Sequence, residues 1–333
     1  MAKKRAILVD FAVPEKWSFH EALETTTGTK WEVIGLQSNR YHGGIRNIVR
    51  YAQYFLLPFK ILLKKSKYTS IVAWQQFYGL ILASYLRFFG VKAGPDVSAM
   101  TFIYKQKASW LGKLYFKFVQ YALRSQFLKT VFVYSDSEVE HYSQLFGVPK
   151  TLFRSVRLGV EDERSKMEAF VKDGGYYVAA GRSNRDYGFL LDTWKNRKLR
   201  IICDTLKMED TEFVRCLKNC HNEDYLREMA GCHAVIIPLQ DENISSGQLV
   251  LLHAMMLGKP VVITKNNALQ EYVIDGCTGL VIEKTEEALA SALAELDVPE
   301  RYCAISEKAR EYFEEHFTYE QLGRNVGEVL STE

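Results

Sequence analysis

The sequence predicts an α/β protein built of two doubly wound, Rossmann-like domains. Short apolar runs of strand length alternate with helical patterns along nearly all of the 333 residues, as in parallel sheets covered by helices. A charged stretch at 161–175, which ends in Asp-Gly-Gly, interrupts the alternation. We therefore predict one domain at 1–160 and a second at 161–333, with a final helix that can cross back to the first domain.

Ten apolar runs are the candidate strands. They are RAILVD, WEVIGL, SIVAW, VSAMTFIY and TVFVYS in the first half and YYVAAG, LRIICD, AVIIPL, PVVIT and GLVIE in the second. Helical patterns cover 45–64, 107–127, 249–257 and 299–330, and Pro58 is expected to kink or split the first of them. With 47% hydrophobic and 25% charged residues, the composition is that of a globular protein with a sizeable core, and it excludes a disordered chain.

The two halves of the chain carry opposite charge. Residues 1–150 contain 21 Lys and Arg against 9 Asp and Glu, a net charge of +12, whereas the remainder contains 22 against 31, a net charge of −9. Between Arg40 and Lys129 there are 15 basic residues and one acidic residue, Asp96, interleaved with aromatic residues. This pattern predicts an anionic partner surface. Since no recognised nucleic-acid module is present, we expect a membrane and no nucleic acid.

Two helical segments show how this charge is arranged. In 107–127, apolar residues from Trp110 to Leu123 form one stripe, and Lys113, Lys117, Gln120 and Arg124 share the other face. In 45–64, the apolar stripe consists of Ile45, Ile48, Val49, Ala52, Leu56 and Phe59. Either these helices dock on anionic lipid, or their stripes pack on the domain's own sheet. We expect the apolar stripes to pack on the domain's own sheet and the basic residues to face an anionic membrane.

The sequence gives no sign of a membrane span, a leader peptide or a metal site. Gln75, Gln76 and Arg87 interrupt the apolar run at 71–90, which stays below the ~20 residues that a spanning helix needs. Asp10 interrupts the apolar run near the start, and no small-residue cleavage site follows. The six cysteines lack zinc-site spacing and are expected to be reduced. We expect a cytoplasmic protein that binds peripherally to the inner face of the plasma membrane.

Residues 231–284 contain the most informative pattern. The strand AVIIPL leads into a polar loop with Ser245, Ser246 and Gly247, and the apolar helix 249–257 and the strand PVVIT follow. The first amides of a helix have no intrahelical partner and lie at the positive end of its dipole, so this turn is suited to hold a phosphate. The alternative is an ordinary strand-turn-helix-strand unit with a serine cap.

Several motifs from residue 131 onward occur in the order found in a known family. They are VFVYSDSEVEHYSQLFGVPK, AAGRSNRDYGFLLDTW, NEDYLREMAGCHAVIIPL, HAMMLGKPVV and EYVIDGCTGLVIE, and they span roughly the last 200 residues. The second half of the chain resembles the donor domain of the retaining GT-B glycosyltransferases, which include glycogen and sucrose synthases. The resemblance implies a GT-B fold with an interdomain cleft, a nucleotide-sugar donor, retention of configuration, no cofactor and no metal. The first half resembles the family only in its alternation.

The resemblance also assigns site residues. Arg182 and Arg185 would stabilise the charge on the departing diphosphate, as arginine forks match phosphate oxygens. The donor-binding residues would be Gly181, Ser183, Tyr187, Ser245, Ser246, Gly247, Gln248, His253 and Glu271. The family usually has two glutamates separated by seven residues, but here His253 takes the second position and Glu242 is our candidate for the first. Tyr187 stands where the family usually has a lysine.

The acceptor side is less defined. In the first domain, His42, Gly43 and Gly44 precede an amphipathic helix and are candidates for an acceptor loop. We expect transfer to a glycan or a polyprenyl-linked acceptor in surface polysaccharide synthesis. One alternative is a catalytically weak member that acts as a membrane-bound scaffold, and a second is a sugar-nucleotide epimerase. Neither the catalytic base nor the nucleotide is assigned.

Overall fold

The protein divides into two compact units. The structure, a computed structural model, describes residues 3–36, 46–242, 246–267 and 269–332. The first unit comprises Met1–Arg157 and Gly323–Glu333, and the second comprises Leu158–Leu322. The chain therefore enters the second unit at the end of the first sheet and returns to the first unit within its last helix.

The first unit is a six-stranded parallel sheet in the order β2-β1-β3-β4-β5-β6. Its strands are β1 (Lys4–Val9), β2 (Trp31–Gly35), β3 (Tyr68–Ala73), β4 (Asp96–Ala99), β5 (Leu128–Val133) and β6 (Phe153–Ser155). Its helices are α1 (Ser18–Thr27), α2 (Arg46–Leu63), α3 (Gln76–Phe88), α4 (Trp110–Leu123) and α5 (Asp136–Phe146). The strand order reverses direction between β1 and β3, which makes a crevice at their carboxyl ends.

The core of the first unit lies between its sheet and the helices α2 to α5. Leu57 of α2, Leu82 of α3 and Val119 of α4 are buried in one apolar cluster with the strand residues Leu8 and Val131. The four helices thus form a layer on one face of the sheet, which leaves their outer sides away from the core.

The second unit is also a six-stranded parallel sheet, in the order β12-β11-β10-β7-β8-β9. Its strands are β7 (Tyr176–Ala180), β8 (Lys198–Ile202), β9 (Val214–Leu217), β10 (Val235–Ile237), β11 (Val261–Thr264) and β12 (Leu280–Ile282). The remaining helices are α6 (Arg164–Met167), α7 (Tyr187–Thr193), α8 (Asn222–Ala230), α9 (Gln248–Met256), α10 (Glu286–Leu296), α11 (Pro299–His316) and α12 (Tyr319–Ser331). Here the strand order reverses between β7 and β10.

Both faces of the second sheet are covered. Successive residues of a strand point to opposite faces, and Val178 and Ile237 lie in one apolar cluster with residues of α8 and α9. Their neighbours Ala179 and Ile236 lie in a second cluster with residues of α7 and α10. Because both faces are buried, these strands read as continuous apolar runs in the sequence.

The predicted pair of doubly wound domains is confirmed, and all ten predicted strand runs overlap observed strands. Two details were wrong. β9 was not predicted, since this edge strand is short and carries Arg215 and Cys216. VSAMTFIY forms a strand only up to Ala99. For Pro58 the expectation was a kink or a split: α2 continues through it to Leu63 and is not split, and a kink stays a prediction. None of the helices among the described residues is long and apolar enough to span a bilayer.

The expectation that the apolar stripes pack on the sheet was wrong for α2 and for the start of α4. On α2, Ile45 lies outside the described residues, and the other members of the predicted stripe are exposed. The buried residues of α2 include Tyr54, Leu57, Ile61 and Leu62. On α4, Trp110, Leu111 and Leu114 are exposed, whereas Val119, Ala122 and Leu123 are buried as expected. Both helices carry apolar residues around most of their circumference, so periodicity alone did not identify the buried side.

Candidate functional site

The candidate site lies at the carboxyl edge of the second sheet, where the strand order reverses between β7 and β10. In open α/β sheets, ligands bind outside the carboxyl ends of the strands at such a switch point. β7 ends at Ala180 and continues into the loop 181–186, and β10 ends at Ile237 and is followed by the loop residues 238–242, 246 and 247 before α9. The residues predicted from the sequence lie mainly in these two loops.

Backbone and amide hydrogen bonds join the two loops. The Asp186 amide donates to the Pro238 carbonyl over 2.8 Å. The Asn184 side chain donates to the Asp241 carbonyl and accepts from the Asp241 amide, each over 2.9 Å. Asn184 has a positive φ of 54°, which asparagine tolerates better than most residues. Sequence reasoning missed this residue, although an asparagine two residues after an arginine in a glycine-initiated turn is a signal for it.

Arg185 connects the end of β7 with the loops that follow β7 and β10. Its guanidinium donates to the Ala180 carbonyl over 2.8 Å, to the Ser183 carbonyl over 2.9 Å and to the Ser246 hydroxyl over 3.2 Å. Within the described part of the chain, none of these partners is a carboxylate. Burial lowers the pKa of the Arg185 guanidinium, but an arginine stays charged in proteins. The edge therefore contains a half-buried positive charge that is not paired with any acidic side chain among the described residues.

Gly181 and Tyr187 shape the loop beneath the arginines. Gly181 has a φ of +100°, and a Cβ at this position would lie 2.9 Å from an Arg185 guanidinium nitrogen. The buried Tyr187 hydroxyl donates to the Gly181 carbonyl over 2.5 Å. Tyr187 thus stabilises the loop through this hydrogen bond, and direct contact of its side chain with a donor stays a prediction.

The opposite side of the edge is the start of α9. Gly247, with a φ of +103°, immediately precedes α9, which begins at the buried Gln248. The Ser246 hydroxyl donates to the Ser183 carbonyl over 2.9 Å. The amino terminus of a nine-residue helix and its positive dipole end therefore lie beside the Arg185 guanidinium.

Three predicted residues lie at the surface of this edge. Arg182 and Ser183 are exposed in the turn after β7, and no hydrogen bond or ion pair joins the Arg182 side chain to another described residue. Glu242 is exposed in the turn after β10, where its carbonyl accepts from the Asn267 amide over 2.8 Å. Arg182 is thus available for a ligand, and Glu242 presents a carboxylate on the same edge.

His253 and Glu271 lie further from the loops. The His253 Nδ1 atom is 3.3 Å from the Tyr225 hydroxyl on α8, and their rings meet edge to face. Burial lowers the pKa of His253 to about 4, so its imidazole is neutral near pH 7. Glu271 is half-buried in the turns between β11 and β12. Neither placement tests contact with a donor.

Four predicted residues cannot be placed. Ser245, His42, Gly43 and Gly44 lie outside the described residues. Among the residues that are described, no group of three or more His, Cys, Asp and Glu side chains is arranged to hold a metal ion.

The first unit has a polar cluster at its own switch point, which sequence reasoning missed. Asp10 follows β1, and burial raises the pKa of its carboxyl group despite the attraction of Arg50. Tyr54 belongs to the same electrostatic cluster, and burial likewise raises the pKa of its hydroxyl. The only signal in the sequence was an acidic residue directly after the first strand.

The geometry of the second unit's edge suits an anionic ligand. A half-buried guanidinium, an exposed arginine and a helix amino terminus converge, and two glycines with positive φ let a ligand approach the backbone. This arrangement matches the charge of a diphosphate group.

Comparison with known proteins agrees with this geometry. Residues 192–297 match the family model described as glycosyl transferases group 1. No curated protein matches the sequence significantly. HepE from Anabaena, solved in complex with UDP-glucose, is similar over 100% of both chains, with a TM-score of 0.67 and 14% identity. Sucrose-phosphate synthase from Thermosynechococcus elongatus is similar over 99% of both chains, with a TM-score of 0.72 and 16% identity.

A third similar structure is WaaG, a glycosyltransferase involved in lipopolysaccharide biosynthesis. It matches 98% of this chain and 100% of its own, with a TM-score of 0.60 and 15% identity. At such low identity these likenesses establish the fold. The chain has the GT-B fold, as its resemblance to that family predicted.

Proposed function

We propose that this protein is a glycosyltransferase that takes a sugar from a nucleotide-sugar donor. The observation that carries the proposal is the convergence of Arg182, Arg185 and the start of α9 at the switch point of the second unit. The family-model match, which covers 192–297 and includes α9, supports the same activity. A diphosphate held at this edge would compensate the unneutralised charge of Arg185.

The donor is proposed to be a UDP-sugar. HepE, which shares the fold over the whole chain, was solved with UDP-glucose, with UDP and glucose, and with UDP. The proposed acceptor is a glycan or a polyprenyl-linked glycan in surface polysaccharide synthesis, at the inner face of the plasma membrane. The involvement of WaaG in lipopolysaccharide biosynthesis supports this setting.

The proposed chemistry follows from the charge of the leaving group. When the bond between the anomeric carbon and the phosphate breaks, negative charge grows on the diphosphate and positive charge on the sugar. Arg182 would bind the diphosphate directly, and Arg185 would raise the local positive potential while it holds the Gly181 turn in place. Glu242 is the proposed carboxylate near the sugar. Retention of configuration and independence of metal ions belong to the same proposal.

The test is turnover of the donor. Purified protein is incubated with UDP-glucose and with the GDP-, ADP-, CDP- and dTDP-sugars, with and without a membrane extract that contains lipid-linked glycans, and nucleotide release is measured. We expect UDP release that increases with the extract, that survives EDTA, and that decreases in Arg182→Ala. Arg215→Ala is the matched control, since Arg215 is an exposed arginine of the same unit on the edge strand β9.

Two outcomes would contradict the proposal. Donor binding without release of nucleotide under any condition would favour the catalytically weak scaffold. Conversion of the donor to an epimer without any acceptor would favour the sugar-nucleotide epimerase.

A further inference from the structure

The outer side of the helices α2, α3 and α4 is an unusual surface for a soluble fold. Large apolar side chains are exposed on all three helices or directly beside them. Examples are Ile48 at 66%, Leu63 at 70%, Phe88 at 75% and Trp110 at 73%. Isolated apolar residues are normal on a protein surface, but a concentration of this kind marks an interaction site.

Side-chain contacts join the three helices that carry these residues. The Phe59 ring of α2 lies 5.9 Å from the Tyr85 ring of α3, and Tyr85 lies 6.3 Å from Phe89. Arg87 of α3 lies 4.3 Å above the Tyr121 ring of α4 and donates to the Tyr121 carbonyl over 2.8 Å. These contacts join α2 to the end of α3, and the end of α3 to α4.

The charge of this surface has one sign. The helices α2, α3 and α4 contain no Asp or Glu, whereas Lys60, Arg87, Lys113 and Lys117 are exposed on them. On α4, the exposed Trp110, Leu114 and Tyr121 alternate with Lys113 and Lys117 along the same side of the helix. Apolar side chains surrounded by basic groups match the interface of an anionic bilayer, where rings and aliphatic chains enter the acyl boundary and lysines meet phosphates.

We propose that the outer side of α2 to α4 is the surface through which the protein docks on an anionic lipid bilayer, with Trp110, Leu114 and the exposed side of α2 inserted into it. A protein interface would bury the apolar residues equally well, but it gives no reason for three consecutive helices without one acidic residue. The inference deepens the proposed function, since a lipid-linked acceptor would be reached from this membrane. It names the residues that make the contact.

The tryptophans offer a direct readout. The chain has five tryptophans, and Trp17, Trp31 and Trp194 are buried while Trp74 is half-buried. Trp110 is by far the most exposed, so insertion of α4 should shift the emission of the whole protein to shorter wavelength. Brominated acyl chains should quench that emission, and Trp110→Phe should remove the shift while vesicle binding remains.

The experiment titrates the full chain with vesicles of phosphatidylcholine alone and with 30% phosphatidylglycerol, using sedimentation and tryptophan fluorescence without any donor. We expect binding only to the anionic vesicles. Lys113→Glu combined with Lys117→Glu should weaken it at least tenfold, and Trp110→Ser with Leu114→Ser should weaken it similarly at high salt. Lys172→Glu with Lys207→Glu, a charge-matched pair at exposed sites in the second unit, and Val298→Ser should leave binding unchanged.

Several results would overturn the inference. The first is that the folded wild type does not bind anionic vesicles, and the second is that the α4 variants bind them as strongly as the wild type. The third is self-association in solution that Trp110→Ser abolishes, since this would assign the surface to a second copy of the chain. UDP-sugar binding, measured without vesicles, tests the proposed function separately, so either result can fail while the other stands.

Discussion

The side chains of the two arginines after β7, Arg182 and Arg185, are held differently. Arg185 is fixed by three hydrogen bonds to the loops on both sides of the switch point, whereas no described residue engages the Arg182 side chain. A fixed cation sets the local potential at no cost of reorganisation, and a free one can close on a ligand. We therefore propose that Arg182 contacts the ligand and that Arg185 supports the loops around it.

Replacement of Arg185 by lysine should separate charge from geometry. Lysine keeps the positive charge but cannot reproduce the planar fork that reaches Ala180, Ser183 and Ser246. We expect Arg185→Lys to lower the free energy of unfolding by about 1–3 kcal/mol and to weaken UDP-glucose binding. Thermal unfolding and calorimetric titration measure the two effects, with Arg215→Lys as the control. Wild-type values in both would show that the loop does not depend on the fork.

His253 should give the unfolding free energy a specific pH dependence. Its pKa falls from 6.5 to about 4 in the folded protein because the ring is buried. The unfolded chain therefore binds a proton between these values that the folded protein does not, and stability present above pH 6.5 is lost as the pH falls towards 4. The loss is on the order of 2–3 kcal/mol.

The variant His253→Gln tests this dependence, since glutamine accepts a hydrogen bond from Tyr225 but does not titrate. Chemical denaturation at several pH values between 4 and 7 should show a flatter profile than the wild type. The exposed His141 provides the control, and His141→Gln should keep the wild-type slope. If the profiles of His253→Gln and the wild type were parallel, the folded protein would bind a proton at His253 as readily as the unfolded chain does.

At the scale of elements, the turn before α9 combines two requirements. Gly247 has a φ of +103°, and a Cβ there would lie 3.2 Å from Ile237 Cγ2. Position 247 therefore has a backbone conformation in which any residue with a Cβ would be strained. That Cβ would also lie close to the end of β10. Glycine meets both requirements and leaves the start of the helix open to a ligand.

We expect Gly247→Ala to cost about 1–2 kcal/mol of stability and to weaken donor binding at least tenfold. Gly175 provides a matched control, because its φ is +68° and nothing lies within 4 Å of a Cβ built on it. Gly175→Ala should show a similar cost in thermal unfolding with unchanged titration of UDP-glucose. Equal loss of binding in both variants would attribute the effect to general destabilisation.

Most elements of the fold could be predicted because buried parallel strands leave continuous apolar runs. β9 escaped because an edge strand needs only one buried face and its four residues include Arg215. The exposed side of α2 was wrongly predicted for the opposite reason. With apolar residues nearly all round, its sequence does not reveal which side meets the sheet.

Only the local features of the candidate site could be predicted from the sequence. Local motifs identified the glycine turns and the arginines, because these features depend on neighbouring residues. The bond between Arg185 and Ser246 joins residues 61 positions apart, and the contact of His253 with Tyr225 joins two helices. Contacts of this kind depend on tertiary packing, as does the neutral state of His253, so no sequence pattern indicated them.

At the scale of the whole molecule, charge separates along the chain in the same way as the two units. The basic first half carries the exposed strip on α2 to α4, and the acidic second half contains the anion-suited edge at β7 and β10. The proposed membrane partner of one unit and the proposed nucleotide sugar of the other would account for both features.

The proposed donor site is best tested by calorimetric titration of UDP-glucose into the wild type, Arg182→Ala and Arg215→Ala. We expect the wild type and Arg215→Ala to bind equally and Arg182→Ala to bind at least tenfold more weakly, which corresponds to about 1.4 kcal/mol. Equal affinity in all three folded proteins, or no binding of UDP-glucose and the other nucleotide sugars by the wild type, would contradict a donor site at this edge.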